Sequence, residues 1–271
     1  MSAFRAGFPR SADEAAEVLH RILVANRSYV LVGGGTLTVP ALTRGDLTPT
    51  DVVDLGRTAL DRIEPAGSEI AIGAQVSYQQ LLDSPIVAEH FPLLHRLCSG
   101  ITGGIQIRHQ GTLVGALCAA RPQSDAPAAL VALDAQVVIR GWGESRVVSA
   151  AKFLRGAEET DLRPGEFVTG IRLPLRESRA GYVKLKFAES SWPVVTASAL
   201  LPGRIVLGGV ARVPVSVTPA TTDVRSAVAA ALDDLPLEDR WADLRASWDY
   251  RRRVAPEIAA RACAEAEGAA A

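Results

Sequence analysis

Residues 11–23 carry a helical period. Ala15, Ala16, Leu19 and Leu23 recur near i, i+3 and i+4, Ser11 precedes them as an N-cap, and Glu14 stands at the capping-box position. The spacing predicts a helix. The period then changes, because "YVLV" at 29–32 is an unbroken apolar run that stops in three glycines, and "DVVDL" at 51–55 is a second short run. Strand, helix-sized connection and strand predict a small α/β unit. From about residue 60, "IEPAG", "EIAIGAQV", "GTLVGALC", "AQVVIRG" and "SRVVSAAKFL" predict short strands, with a helical piece from "SYQQLLDSPIV" through "HFPLLHRLCSG" among them. "LRPGEFVTGIRLP", punctuated by Pro164-Gly165 and Pro174, closes this second unit, and "LRESRAG" looks like a linker. Two further strands, "VVTASALLP" and "RIVLGGVA", follow, with Gly208-Gly209 placed as a bulge. Alanine-rich helices run from about 220 to 268.

Composition narrows the function classes. Of the 271 residues, 48% are hydrophobic and 22% charged, so the chain can bury one large core or two modest ones, and two domains are expected. Lys and Arg number 29 against 30 Asp and Glu, which gives no global reason to favour nucleic acid or an anionic membrane. No apolar run approaches the roughly 18 residues of a membrane span, and the N-terminus lacks a signal-peptide core, so the expected location is the cytoplasm. Cys98, Cys118 and Cys263 are widely spaced and read as reduced core thiols, and His20, His90, His95 and His109 form no ligand pair. No metal site is expected. Redox chemistry would need an organic cofactor.

Two glycine-rich stretches carry the candidate chemistry. "GGGTLT" at 33–38 follows a strand directly, and glycines there allow backbone N–H groups to face a phosphate at close range. The second, "GTLVG", begins at Gly111, and Thr36 and Thr112 add hydroxyls to the two loops. Neither has the Lys of a Walker loop or opens a helix as GxGxxG. Each alone reads more readily as an ordinary tight turn, and the pair together makes a ligand cradle an equal alternative. Arg108 beside His109 would meet either a phosphate or the loop's own carbonyls, and Lys184, alternating with Val183 and Leu185, reads on its own as a solvated strand position. Trp192 and Trp248 read as packing anchors. Arg251-Arg252-Arg253, near Asp243 and Asp249, reads as an ion network rather than a nucleic-acid patch.

Taken together, these motifs resemble the FAD-binding subunits and domains of molybdenum-containing hydroxylases, the group with the carbon monoxide dehydrogenase medium subunit and the xanthine dehydrogenase flavin domain. That family's first loop runs A-G-G-T-D-L, where this chain has Gly33-Gly34-Gly35-Thr36-Leu37-Thr38. Its second runs Q-I-R-N-x-G-T-I-G-G-N-L followed by A-x-P-x-S-D, where this chain has "QIRHQGTLVGALCAARPQSD" from Gln106 to Asp125. "PAALVALDAQVVIRG", "GYVKLK", "RIVLGGVARVPV" and "DLRASWDYRRRV" extend the likeness over nearly the whole chain. The resemblance implies an α+β fold: a two-subdomain FAD-binding domain of the PCMH type over 1–175, divided near 57, then a small C-terminal domain over 176–271 built on a three-stranded antiparallel sheet with helices.

By the same resemblance the cofactor is FAD and the flavin carries the chemistry, so no catalytic side chain is assigned. The implied cofactor-binding residues are Val32, Gly33, Gly34, Gly35, Thr36 and Leu37, then Arg108, Gly111, Thr112, Val114, Gly115 and Ala116, then Arg121, Ser124 and Asp125 on the ribityl or ribose side, and Lys184 near the isoalloxazine. The implied partners are a molybdopterin-containing large subunit and a 2Fe-2S small subunit in a hetero-oligomer, with electrons passing to NAD or another acceptor. The chain departs from the pattern at Leu37, at Val114 and Ala116 where the family has Gly and Asn, and at Arg121 where it commonly has Asp. Two alternatives stand beside this one: a free-standing flavin-dependent oxidoreductase of the same fold, and a flavin-free descendant that uses the cleft for another ligand.

Overall fold

A computed structural model of the protein describes residues 4–219 and 222–268. The first part holds β1 (Arg5–Gly7), α1 (Ala12–Val24), β2 (Tyr29–Val32), α2 (Thr38–Arg44) and β3 (Asp51–Asp54), with strands in the order β1-β3-β2, all parallel. Helix α1 starts as its cap predicts: Ser11 Oγ accepts from Glu14 N at 3.1 Å, while the Glu14 carboxylate reaches one residue further back, to Arg10 N at 2.7 Å. Its buried side is Ala15, Ala16, Leu19 and Ile22, packed with Val53, Leu55 and Phe167. Leu23, expected on that side, is only half-buried.

The second part runs through β4 (Ile63–Ala66), β5 (Glu69–Gly73), α3 (Tyr78–Asp83), α4 (Pro85–His90), α5 (Pro92–Ser99), α6 (Gly104–Gln110), α7 (Leu113–Ala119) and α8 (Asp125–Ala132). Then come β6 (Gln136–Arg140), β7 (Ser145–Ser149), α9 (Ala150–Phe153), β8 (Leu154–Gly156), β9 (Glu159–Thr160) and β10 (Phe167–Pro174). Five of these strands form an antiparallel sheet in the order β4-β5-β10-β6-β7. The segment expected merely to close the unit is thus its central strand: Ile171 sits between Ile72 and Val137, all three buried. "GTLVGALC" is a helix, α7, and not a strand. Thr112 Oγ1 accepts from Gly115 N at 2.9 Å, and this cap overrides the strand preference of Leu113 and Val114. The single helical piece is three helices, broken where Ser84-Pro85 and Phe91-Pro92 restart the chain.

The last part contains β11 (Arg179–Leu185), β12 (Val195–Leu201), β13 (Arg204–Gly208), β14 (Val215–Val217), α10 (Val224–Asp233) and α11 (Trp248–Gly268). Its antiparallel sheet, in the order β11-β12-β13-β14, has four strands rather than three. The fourth is three residues long and follows Pro214, too short to show a period. "RAG" at 179–181, read as linker, belongs to β11: a Cβ at Gly181 would lie 1.9 Å from Ala262 O, so strand and α11 meet backbone to backbone. The arginine cluster is the expected ion network. Arg251, fully buried, donates to the carbonyls of Val194 and Gly209 and pairs with Asp243 at 2.6 Å, whereas Arg252 pairs with Asp233 and Arg253 lies over the Tyr250 ring. Helix α8, buried along its whole length, packs against β12 and β13 and joins the second part to the third.

A candidate cofactor cavity

Between these parts lies a cavity of about 610 Å³, within the range of small-molecule and cofactor sites. The first glycine loop forms one wall. β2 delivers it, and Gly34 lets it press against the second loop: a Cβ there would stand 1.7 Å from Gln110 O. Gly35 has φ of 72°, the left-handed region that favours glycine. Among the described residues no acceptor takes the amide N–H groups of residues 33–37, and Leu37 caps α2 with no side-chain hydrogen bond. Several unengaged donors facing a cavity form a cradle for an anion.

The second loop is satisfied from within. Gly111 N donates to Ile107 O at 2.7 Å, Ala116 N to Thr112 O at 3.1 Å, and Gly115 N to the Thr112 hydroxyl. Thr112, Val114, Gly115 and Ala116 line the cavity, followed by Arg121, Ser124 and Asp125. Arg121 is held at 3.2 Å by Glu158 and lies over the Trp192 ring, 5.9 Å from its centroid. Trp192, expected as a packing anchor, is part of the wall.

Asp125 is the one acid buried in that wall. The Tyr182 hydroxyl and Lys184 Nζ, the latter at 2.8 Å, both donate to its Oδ1, and among the described residues no donor reaches its Oδ2. Burial, and then the Asp125 charge, hold the Tyr182 phenol well above its usual range; burial does the same for Tyr78, with Cys98 and Asp125 adding to it. Both phenols stay protonated. Burial also pushes the Cys118 thiol, on the wall, up to about 12, so it is no thiolate nucleophile at neutral pH.

Twelve of the sixteen residues expected to bind a cofactor line this one cavity: residues 33–37, Thr112, Val114, Gly115, Ala116, Arg121, Ser124 and Asp125. Four stand off the wall. Val32 is buried at the end of its strand, and Arg108 turns to Gln79 Oε1 at 3.2 Å. Gly111 is packed under the Tyr78 ring, and Lys184 sits behind Asp125. Sequence reasoning missed, among others, Gln75, Tyr78, Ile101, Thr102, Gly103 and Ser190, which join the wall from positions far apart in the chain. The site fits FAD: unengaged N–H groups suit a pyrophosphate, an open carboxylate oxygen suits a polyol hydroxyl, and the volume suits a dinucleotide. No helix among the described residues is long and apolar enough to cross a membrane.

Comparison with known proteins converges on the same cofactor. Residues 2–176 match the family described as the FAD binding domain in molybdopterin dehydrogenase. The chain is 28% identical to the carbon monoxide dehydrogenase medium chain of Afipia carboxidovorans, over 96% of this chain and 95% of that one. It is 33% identical to the glyceraldehyde dehydrogenase medium chain of Sulfolobus acidocaldarius, over 60% of this chain and 58% of that one. Among solved structures, carbon monoxide dehydrogenase from Hydrogenophaga pseudoflava superposes with a TM-score of 0.87 at 27% identity, covering 98% of both chains.

Proposed function

The chain belongs to the family of FAD binding domains in molybdopterin dehydrogenases, an FAD-dependent oxidoreductase family, and on that footing we propose that it is the electron-transferring medium subunit of a molybdenum hydroxylase complex. Its partners in this reading are a molybdopterin-containing large subunit and a 2Fe-2S small subunit, and electrons leave to NAD or another acceptor. The observation that carries it is the row of unengaged N–H groups at 33–37 in the same cavity wall as Asp125 and its open Oδ2. When bound, the flavin supplies the redox chemistry.

This chain's residues do the holding. The amides of 33–37 bind the pyrophosphate, Asp125 Oδ2 accepts from a ribityl or ribose hydroxyl, and Ile101 and Trp192 exclude water from the ring end. FAD is held non-covalently in this reading. Cys118 stays a thiol, and His109, on α6, is not on the wall. The test is purification of the protein with whatever copurifies. The expected outcome is a yellow protein whose flavin is released by acid and whose complex contains molybdenum and iron. A colourless chain that takes up no added FAD would overturn the reading, and flavin retained in the acid pellet would overturn its non-covalent part.

A further inference from the structure

Resting on the reading that the cavity holds FAD, we propose that Lys184, with Tyr182, is a positioning residue that acts from the C-terminal sheet through Asp125 and the 100–103 turn, and does not itself touch the flavin. The resemblance to the family implies a place near the isoalloxazine for Lys184; the geometry gives it protein partners instead. Its ammonium donates to Gly100 O at 2.6 Å and to Asp125 Oδ1 at 2.8 Å, its side chain is only 10% exposed, and it does not line the cavity. What it holds does line the cavity: Asp125 on one side, and Ile101, Thr102 and Gly103, next to Gly100, on the other.

β11 is built to present these donors. Tyr182 and Lys184 are two residues apart, so they share one face of the sheet, and they pair across the strands with Ser198 and Thr196. That sheet meets α8, which begins with Asp125. The strand's own backbone is anchored nearby, with Tyr182 N on Glu265 Oε2 at 2.9 Å and Arg96 Nη1 on Ala180 O at 2.8 Å.

Two consequences follow from the charges and the hydrogen bonds. A buried carboxylate needs donors and a cation beside it, and among the described residues both side chains that donate to Asp125 come from β11 and fall on a single oxygen. Oδ2 is thereby left as a fixed acceptor facing the cavity. The turn is the second element. Gly103 and Gly104 have φ of 97° and 69°, and the turn is otherwise tied to the 188–192 loop by Thr102 Oγ1 on Ser191 O at 3.1 Å. The Lys184 stem packs against it, its Cε 3.4 Å from where a Gly100 Cβ would lie. Flavin affinity therefore depends on residues of the C-terminal sheet that never meet the flavin.

The test uses the full chain as Lys184→Met, Asp125→Asn, the double variant and Tyr182→Phe, with two readouts: FAD affinity by quenching of flavin fluorescence, and hydrogen exchange of residues 100–104 in the flavin-free protein. Lys184→Met should weaken FAD about tenfold and speed exchange at 100–104 severalfold, while the double variant binds FAD within about twofold of Asp125→Asn alone. Losses that multiply in the double variant, or exchange at 100–104 unchanged by Lys184→Met, would overturn the proposal in favour of direct contact. If Lys184→Met does not fold, Tyr182→Phe keeps the ring and decides the Asp125 branch: its smaller loss should vanish in the Asp125→Asn background, and a loss that persists there overturns it. If even the unmodified chain binds no FAD, the functional reading fails by itself. The exchange measurement on the flavin-free chain then still decides what Lys184 does.

Discussion

The two glycine-rich loops look alike in sequence and differ in what they leave unsatisfied. In the first, residues 33–37 keep five amide donors without an acceptor among the described residues, and the loop's shape depends on a glycine that nothing else can replace. In the second, Thr112 and Ile107 consume the donors, Gly111 has an ordinary extended conformation at φ of −66°, and the chain proceeds into a capped helix. A loop built for a ligand is recognisable by the hydrogen bonds it does not make, since buried or cavity-facing donors are otherwise paired. Glycine count does not tell the two apart.

The contrast breaks first at Gly34. Gly34→Val should lower stability by about 3 kcal/mol or more and abolish measurable FAD binding, because the new Cβ collides with Gln110 backbone that cannot rotate away. Thermal unfolding and FAD titration read the two effects, and a native melting temperature with native affinity would show that the loops do not approach so closely. Next comes Gly111→Ala, whose Cβ would meet Ile107 O at 2.9 Å and the Tyr78 ring at 3.1 Å. It should lose about 1 to 2 kcal/mol of stability and shift FAD affinity less than about threefold, since Gly111 packs behind the wall. An affinity loss as large as that of Gly34→Val would erase the distinction between the loops.

Smaller changes sharpen it. Ala116→Asn returns a side-chain donor to the second loop and should tighten FAD up to about tenfold in the same titration. Restoring Val114→Gly alongside works against this gain. Val114 is 3% exposed and packed in the core, so its removal from the first turn of α7 sacrifices contacts as well as opening the wall. Smallest is Thr112→Val, which deletes the α7 cap at a cost of about 1 kcal/mol in denaturant unfolding.

Legibility along the chain followed how local the deciding interaction is. Ser11 and the Ala15-Ala16-Leu19 spacing sufficed for α1, and the run into Gly33 sufficed for β2, because cap, period and stop lie within a few residues of each other. α7 was misread since Leu113, Val114 and Leu117 suit a strand as well as a helix, and a single hydroxyl decides between them. β1 is three residues long and shows no period at all. The same holds at the site. The glycine loops stood out, whereas the 101–103 turn, Ser190 and Trp192 join the wall only through contacts such as Thr102 to Ser191 and Arg121 to Trp192, which no local pattern announces. Lys184 read by alternation alone as a solvated strand position; the structure leaves its side chain only 10% exposed against Asp125, because α8 packs on that sheet, which no local pattern announces.

The place of β10 bears on how this protein is born. Being last in sequence and central in its sheet, it leaves β5 and β6 without their shared neighbour in any nascent chain that stops short of residue 167. Such a chain carries two bare strand edges, the kind of surface on which unfinished polypeptides stick to one another and which chaperones shield. Phe167 and Val168 also help to enclose the cavity, so no earlier portion of the polypeptide owns a complete receptacle. Ser190 and Trp192, later still, close the wall, so the receptacle is whole only once the chain has run past this sheet into the segment before β12.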